Sequence, residues 1–146
     1  MSDFKIDIDV GAPQETVFGY IADGSRTPEW YEAVQSAIKT TTGPTTQGTR
    51  YKFTRVLPQG AVVNEVEISE FEEPRLVAFT SLSGPTPFTY RYRVEPRGGG
   101  SRVILEGSIT GEGIPGPAAS LAPLAGKFFK RGMAQNLRML KARLEN

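Results

Sequence analysis

The chain has 146 residues, with 17 Lys and Arg against 16 Asp and Glu for a net charge of +1, and contains neither cysteine nor histidine. That length suits one domain with a core of its own, and the near-neutral balance argues against nucleic acid or another highly charged partner. Without Cys there is no disulfide framework, thiolate nucleophile or cysteine-held metal. Without His there is no imidazole base, no imidazole-held metal and no Ser-His-Asp arrangement. Any chemistry must use carboxylates, Tyr, Arg, Lys, backbone or water, and no cofactor or metal is expected.

Phe4, Ile6, Ile8 and Val10 alternate with Lys5, Asp7 and Asp9, the period of two expected of a half-buried strand. At Ala12-Pro13-Gln14-Glu15 the pattern changes. Proline fits the first turn of a helix and an early acid suits the positive end of its dipole. Val17, Phe18 and Ile21 continue at helical spacing until Asp23-Gly24 ends the helix. Thr27-Pro28-Glu29 is expected to start a second short helix that presents Trp30 and Tyr31.

Strands punctuated by turns follow: 33–41, 49–57, 61–71, 75–83, 88–94 and 102–110. Pro58-Gln59-Gly60 predicts a hairpin, Glu73-Pro74 and Gly84-Pro85 predict breaks, and Gly98-Gly99-Gly100 predicts a hairpin turn. Short connections require antiparallel neighbours, so about seven strands should form one curved sheet. After the Gly- and Pro-rich stretch 111–117, a long helix is expected over 117–144. Leu121, Leu124, Phe128, Met133, Leu137 and Leu140 lie on its apolar stripe, and Pro123 should disturb its first turns.

The order strand, two short helices, six strands and long helix resembles the START-like or Bet v 1-like (SRPBCC) superfamily, nearest its polyketide cyclase/dehydrase-type branch. The matching pieces are residues 12–18, Ile21-Ala22-Asp23, Pro28-Glu29-Trp30-Tyr31, residues 68–74, Gly100-Ser101-Arg102-Val103 and residues 140–145. The resemblance implies an α+β helix-grip fold, with residues 1–146 as a single START-like ligand-binding domain. In that fold an antiparallel sheet wraps a C-terminal helix over a cavity whose mouth is guarded by the short helices and loops. It further implies a small hydrophobic ligand that is aromatic, polyketide-like or acyl. Members that use a catalytic His, or a 2-His-1-carboxylate iron site, differ from this chain, which has no histidine.

Trp30 either stacks on a ligand at the mouth or clamps the short helices to the sheet. Tyr51, Phe53 and Arg55 share one strand face and Tyr90 and Tyr92 another. If these faces are concave, phenols and a guanidinium enter an apolar pocket. Otherwise Arg55 is exposed or paired with Glu65 or Glu67. Asn64 falls on an apolar face, where a buried amide needs partners. With Phe79, Leu124 and Phe128 these residues make up the candidate ligand site. Glu106 is either a cavity acid or the polar side of its strand, and residues 111–116 either a flap at the mouth or a linker.

The favoured function is binding of a hydrophobic small molecule. One alternative is a polyketide cyclase or dehydratase in which Arg55 polarises a carbonyl and Tyr90 or Tyr92 relays a proton. Another is a non-enzymatic interaction or chaperone-like module. The basic residues of the last helix, from Lys127 to Arg143, read as a solvated face, so neither nucleic acid nor integral membrane association is expected. The N-terminus lacks a secretory pattern, which points to a cytoplasmic monomer or homodimer.

Overall fold

The computed structural model describes residues 4–57, 60–109 and 125–145. Strand β1 (Phe4–Val10) leads into helix α1 (Gln14–Ala22) and a short 3-10 helix (Gly24–Glu29). Six strands follow: β2 (Val34–Lys39), β3 (Arg50–Leu57), β4 (Gly60–Glu72), β5 (Leu76–Ser83), β6 (Phe88–Arg97) and β7 (Gly100–Ile109). Helix α2 (Ala125–Glu145) comes last. The seven strands form one sheet in the order β1-β7-β6-β5-β4-β3-β2, antiparallel at every pairing. Each strand after β2 lies beside its sequence neighbour, as short connections dictate, and β1 returns to the far edge against β7.

The period-two pattern of the sequence maps onto the two faces of the sheet. Phe88, Tyr90, Tyr92 and Val94 of β6 are buried, as are Val103, Leu105 and Ile109 of β7. Thr89, Arg91 and Arg93 take the outer side. Helix α2 packs on β1 and β7, and its Met133, Leu137 and Leu140 are buried. Burial of each such side chain stabilises the docking by about 1.5–3 kcal/mol. At the helix end Glu145 accepts hydrogen bonds from the Gly11 N–H (2.7 Å) and from Lys141 (2.6 Å). Lys141 also donates to the Asp9 carbonyl at 2.9 Å, so the last turn of α2 is tied to the end of β1.

The second short helix differs from expectation. Residues Thr27-Pro28-Glu29 end it rather than start it, and Trp30 sits at its C-terminal cap. The turn begins earlier because the Asp23 side chain accepts from the Ser25 N–H and the Tyr51 hydroxyl accepts from the Gly24 N–H at 3.2 Å. Both contacts act at the start of the helix: the Asp23 side chain caps it and the strand residue Tyr51 holds Gly24 in the helical turn. Strands β4 and β6 also run beyond the expected limits, to Glu72 and Arg97. The expected flap at 111–116, Pro123, Leu121 and Leu124 lie outside the described residues, as does the side chain of Phe128.

Candidate functional site

Four neighbouring strands turn aromatic and polar side chains to the inner face: Tyr51, Phe53 and Arg55 from β3, Asn64 from β4, Phe79 from β5, and Tyr90 and Tyr92 from β6. Arg55 is only 1% exposed and Asn64 0%, which removes the exposed alternative for Arg55. Pairing with Glu65 or Glu67 also fails, because Glu67 lies on the outer face and pairs with Arg50. Among the described residues Arg55 has no carboxylate within ion-pair distance.

Its guanidinium is held by neutral acceptors instead. Nε donates to Asn64 Oδ1 at 2.9 Å, and Nη2 donates to the Pro85 carbonyl at 3.0 Å and to Thr86 Oγ1. Asn64 in turn donates to the carbonyls of Ser83 (3.0 Å) and Pro85 (2.9 Å). The β5–β6 turn therefore folds inward over the strand pair. Gly84 makes this possible: its φ is +98°, and an added Cβ would lie 2.4 Å from the Val63 carbonyl oxygen. Thr86, fully buried, takes φ +50°, a conformation disfavoured for a β-branched residue. The Phe88 ring lies 5.1 Å from the guanidinium carbon, within cation–π range.

Two spaces meet this group. A chamber of about 490 Å3 opens between β3, the 3-10 helix exit and α2, where Ala33, Phe129, Met133 and Asn136 form its walls. A small cavity of about 10 Å3 lies deeper, against Trp30, Phe53, Phe79, Phe88, Tyr90 and Tyr92. Arg55 and Tyr31 line both. The rings around the inner cavity meet edge-on, Trp30 to Tyr92 at 6.0 Å and Phe79 to Tyr92 at 6.2 Å, the geometry favoured by ring quadrupoles.

Among the described residues, two buried polar atoms at the inner cavity have no hydrogen-bond partner of normal geometry: the indole Nε1 of Trp30 and the hydroxyl of Tyr90. Burial pushes the phenols of Tyr31, Tyr90 and Tyr92 upward from their ordinary value, because a phenolate loses its hydration there. The Tyr90 hydroxyl lies close enough to that of Tyr31 for a weak hydrogen bond that lowers Tyr31 and raises Tyr90, but the contact falls outside normal hydrogen-bond geometry. Burial also draws Arg55 downward from its ordinary value, though a guanidinium stays charged at neutral pH.

Trp30, Phe53, Arg55, Phe79, Tyr90 and Tyr92 thus come together around one cavity. Two other expected residues do not line it. The Tyr51 hydroxyl serves Gly24, and Asn64 stands behind Arg55 as its acceptor. Tyr31, Phe88 and the α2 residues Met133 and Asn136 join the walls without having been singled out as site residues. Phe88 was legible from its alternation with Tyr90 and Tyr92. The α2 residues were not, because a stripe facing a chamber has the same spacing as one facing core. Asn136 is buried and accepts from the Glu32 N–H at 3.0 Å, which pins α2 to the exit of the 3-10 helix.

The cavity-acid alternative for Glu106 fails. Its side chain lies on the outer face, 3.5 Å from Arg91. Lys127, Lys130, Arg131, Arg138 and Arg143 are exposed on α2. Among the described residues no group of three or more Asp or Glu is placed to hold a metal, and no helix is long and apolar enough to cross a membrane.

A family model described as polyketide cyclase/dehydrase and lipid transport matches residues 1–145. The chain belongs to that family. Solved structures agree on the fold of this polyketide cyclase/dehydrase-type chain. The Zhui aromatase/cyclase from Streptomyces sp. R1128 superposes with a TM-score of 0.81 at 10% identity, over 97% of this chain and 92% of that one. A protein from Thermus thermophilus gives 0.80 at 21% identity, over 96% and 94%. A START superfamily protein from Mycobacterium smegmatis gives 0.76 at 15% identity, over 97% and 96%. At such identities the likeness shows architecture: the helix-grip fold of the START and Bet v 1 superfamily. No curated protein matches the sequence significantly.

Proposed function

We propose that the chain binds a small hydrophobic ligand, aromatic, polyketide-like or acyl, between the sheet and α2. The observation that carries this reading is the chamber of about 490 Å3 that ends on Arg55 and Tyr31. Its volume falls in the range of small-molecule sites, which combine apolar walls with a few polar groups; here the polar groups are Arg55, Glu32, Arg131, Gln135 and Asn136. Phe129, Met133 and Val56 offer apolar contact, and Arg55 offers orientation. The test is a thermal-shift survey of aromatic, polyketide-like and acyl molecules, with native mass spectrometry of the purified protein. A ligand at about 100 times its Kd raises stability by about 2.7 kcal/mol, a shift of several degrees. No shift across the survey, together with no co-purified mass, overturns the reading.

A second reading, polyketide cyclisation or dehydration, is favoured by the same guanidinium standing among phenols that burial keeps protonated. Arg55 would polarise a ketone of a poly-β-keto chain. Tyr90 or Tyr92 would pass a proton to the developing enol oxygen or to a departing hydroxyl. Turnover of a poly-β-keto thioester that survives intact in the Tyr90→Phe/Tyr92→Phe double variant excludes this chemistry.

A further inference from the structure

The polar groups at the deep end of the site include buried donors with no acceptor in normal geometry beside them, together with the neutral phenols of Tyr31, Tyr90 and Tyr92. Trp30 Nε1–H and Tyr90 O–H are buried there without a hydrogen bond of normal geometry to a described residue. The Nη1 amino group of Arg55 makes no hydrogen bond to a described residue, since the bonds recorded for its guanidinium leave from Nε and Nη2. Of the acceptors nearby, Asn64 Oδ1 and Thr86 Oγ1 are engaged by Arg55 itself, which leaves the neutral hydroxyl oxygens of Tyr31, Tyr90 and Tyr92. The inner cavity of about 10 Å3 has the volume of a single oxygen. No carboxylate among the described residues offsets the Arg55 charge.

We infer that this end of the site selects ligands ending in an anionic oxygen, a carboxylate, phenolate or enolate, and turns away ammonium heads and neutral ends of similar shape. The inference rests on the ligand-binding reading above and adds the chemical class of the head group. An acceptor oxygen placed at the inner cavity satisfies donors that otherwise lack a hydrogen bond of normal geometry to a described residue. Its negative charge answers the guanidinium, and charge-assisted hydrogen bonds of this kind are the strong ones. An ammonium head brings three more donors and a second positive charge to a place where the guanidinium already stands and only neutral phenol oxygens can accept. The apolar body of the ligand occupies the chamber beside α2.

The chain has one tryptophan, so its spectrum contains one indole N–H signal, and that signal belongs to the inner cavity. The probes are 2-naphthoate and dodecanoate, their methyl esters, and the amines 2-naphthylmethylammonium and dodecylammonium, each titrated by calorimetry and followed by 1H–15N spectra. The expected result is that an acid binds at least about tenfold tighter than its ester or amine counterpart and alone moves the indole signal downfield. Tyr90→Phe should weaken the acid about tenfold and leave the ester unchanged. Arg55→Gln should abolish the preference, and if that variant does not fold, the Tyr90→Phe comparison decides. Esters and amines that bind as tightly as the acids, with an unmoved indole signal, overturn the inference while ligand binding stands: the donors then serve a structural water only. If none of the probes binds and the broader survey is also silent, the ligand-binding reading and the inference fall together.

Discussion

The Nε of Arg55 donates to Asn64 Oδ1 at 2.9 Å, and through the same side chain Asn64 is fixed to the carbonyls of Ser83 and Pro85. Two residues on adjacent strands and the turn between β5 and β6 thereby form one unit that holds a buried cation in place. Asn64→Ala removes the Nε acceptor and leaves that donor without a partner in the core. A hydrogen bond to a buried charge carries about 1.5–3 kcal/mol, more when its loss strands the charge. We expect the variant to lose about 3 kcal/mol, measured as a lower urea midpoint at unchanged slope. A loss under about 1 kcal/mol would mean that the guanidinium reaches another acceptor without cost.

Gly84 and Gly98 both have positive φ, +98° and +53°, but only Gly84 is crowded: a Cβ there meets the Val63 carbonyl at 2.4 Å, whereas nothing lies within 4 Å of the position at Gly98. Gly98→Ala should cost only the left-handed penalty of about 1–2 kcal/mol. Gly84→Ala should cost clearly more and displace the carbonyls that hold Arg55. Thermal unfolding of the pair checks this, and equal losses would contradict the inward fold of the turn.

Tyr51 and Tyr90 are both buried phenols with opposite hydrogen-bond status. The Tyr51 hydroxyl accepts from Gly24 N–H, and the Tyr90 hydroxyl has no hydrogen bond of normal geometry among the described residues. Tyr51→Phe should lose about 1 kcal/mol, while Tyr90→Phe in the ligand-free protein should be neutral or stabilising by up to about 1 kcal/mol. The reverse order of stabilities would show that Tyr90 is satisfied in solution.

Stability should be flat from about pH 6 to 9, where the absence of His and Cys leaves no side chain with an ordinary pKa in range. Above pH 10 it should fall. Burial raises Tyr31, Tyr90 and Tyr92 from 10.0, and Tyr20, which donates to Glu29, is pushed up to about 12. The unfolded chain therefore ionises first and holds fewer protons than the native one. Stability present below pH 10 is lost as pH rises, by about 1.4 kcal/mol per pH unit for each fully buried phenol. Denaturant melts from pH 9 to 11.5, with tyrosinate absorbance, check the sign. A rise in stability over that window would contradict it.

How far the sequence revealed the site follows from the distance over which each feature is built. The alternation in β1, β6 and β7 is local, and it placed Tyr90 and Tyr92 on the buried face without further information. The face of Arg55 was legible in the same way, but its burial was not. Its acceptors Pro85 and Thr86 come from a turn some thirty residues away and depend on an uncommon backbone angle at Thr86, which no short-range pattern encodes. The second short helix was misplaced for a related reason, since its start is held by Tyr51 from a distant strand. Glu106 looked like a cavity acid only while the choice of face was open. Pairing of β6 with β7 places it opposite Arg91 on the outer side.

The most direct test uses the three methionines of the chain. Met133 is buried in α2 and lines the chamber, while Met139, two turns on, is 48% exposed and lies outside it. Methyl 13C spectra recorded during titration with a hydrophobic ligand from the thermal survey separate a ligand in the chamber from one on the surface. The account predicts that the Met133 methyl and the Trp30 indole shift together and saturate while Met139 stays in place. A shift at Met139 alone, or saturable binding that leaves both Met133 and Trp30 unmoved, would contradict a binding site between the sheet and α2.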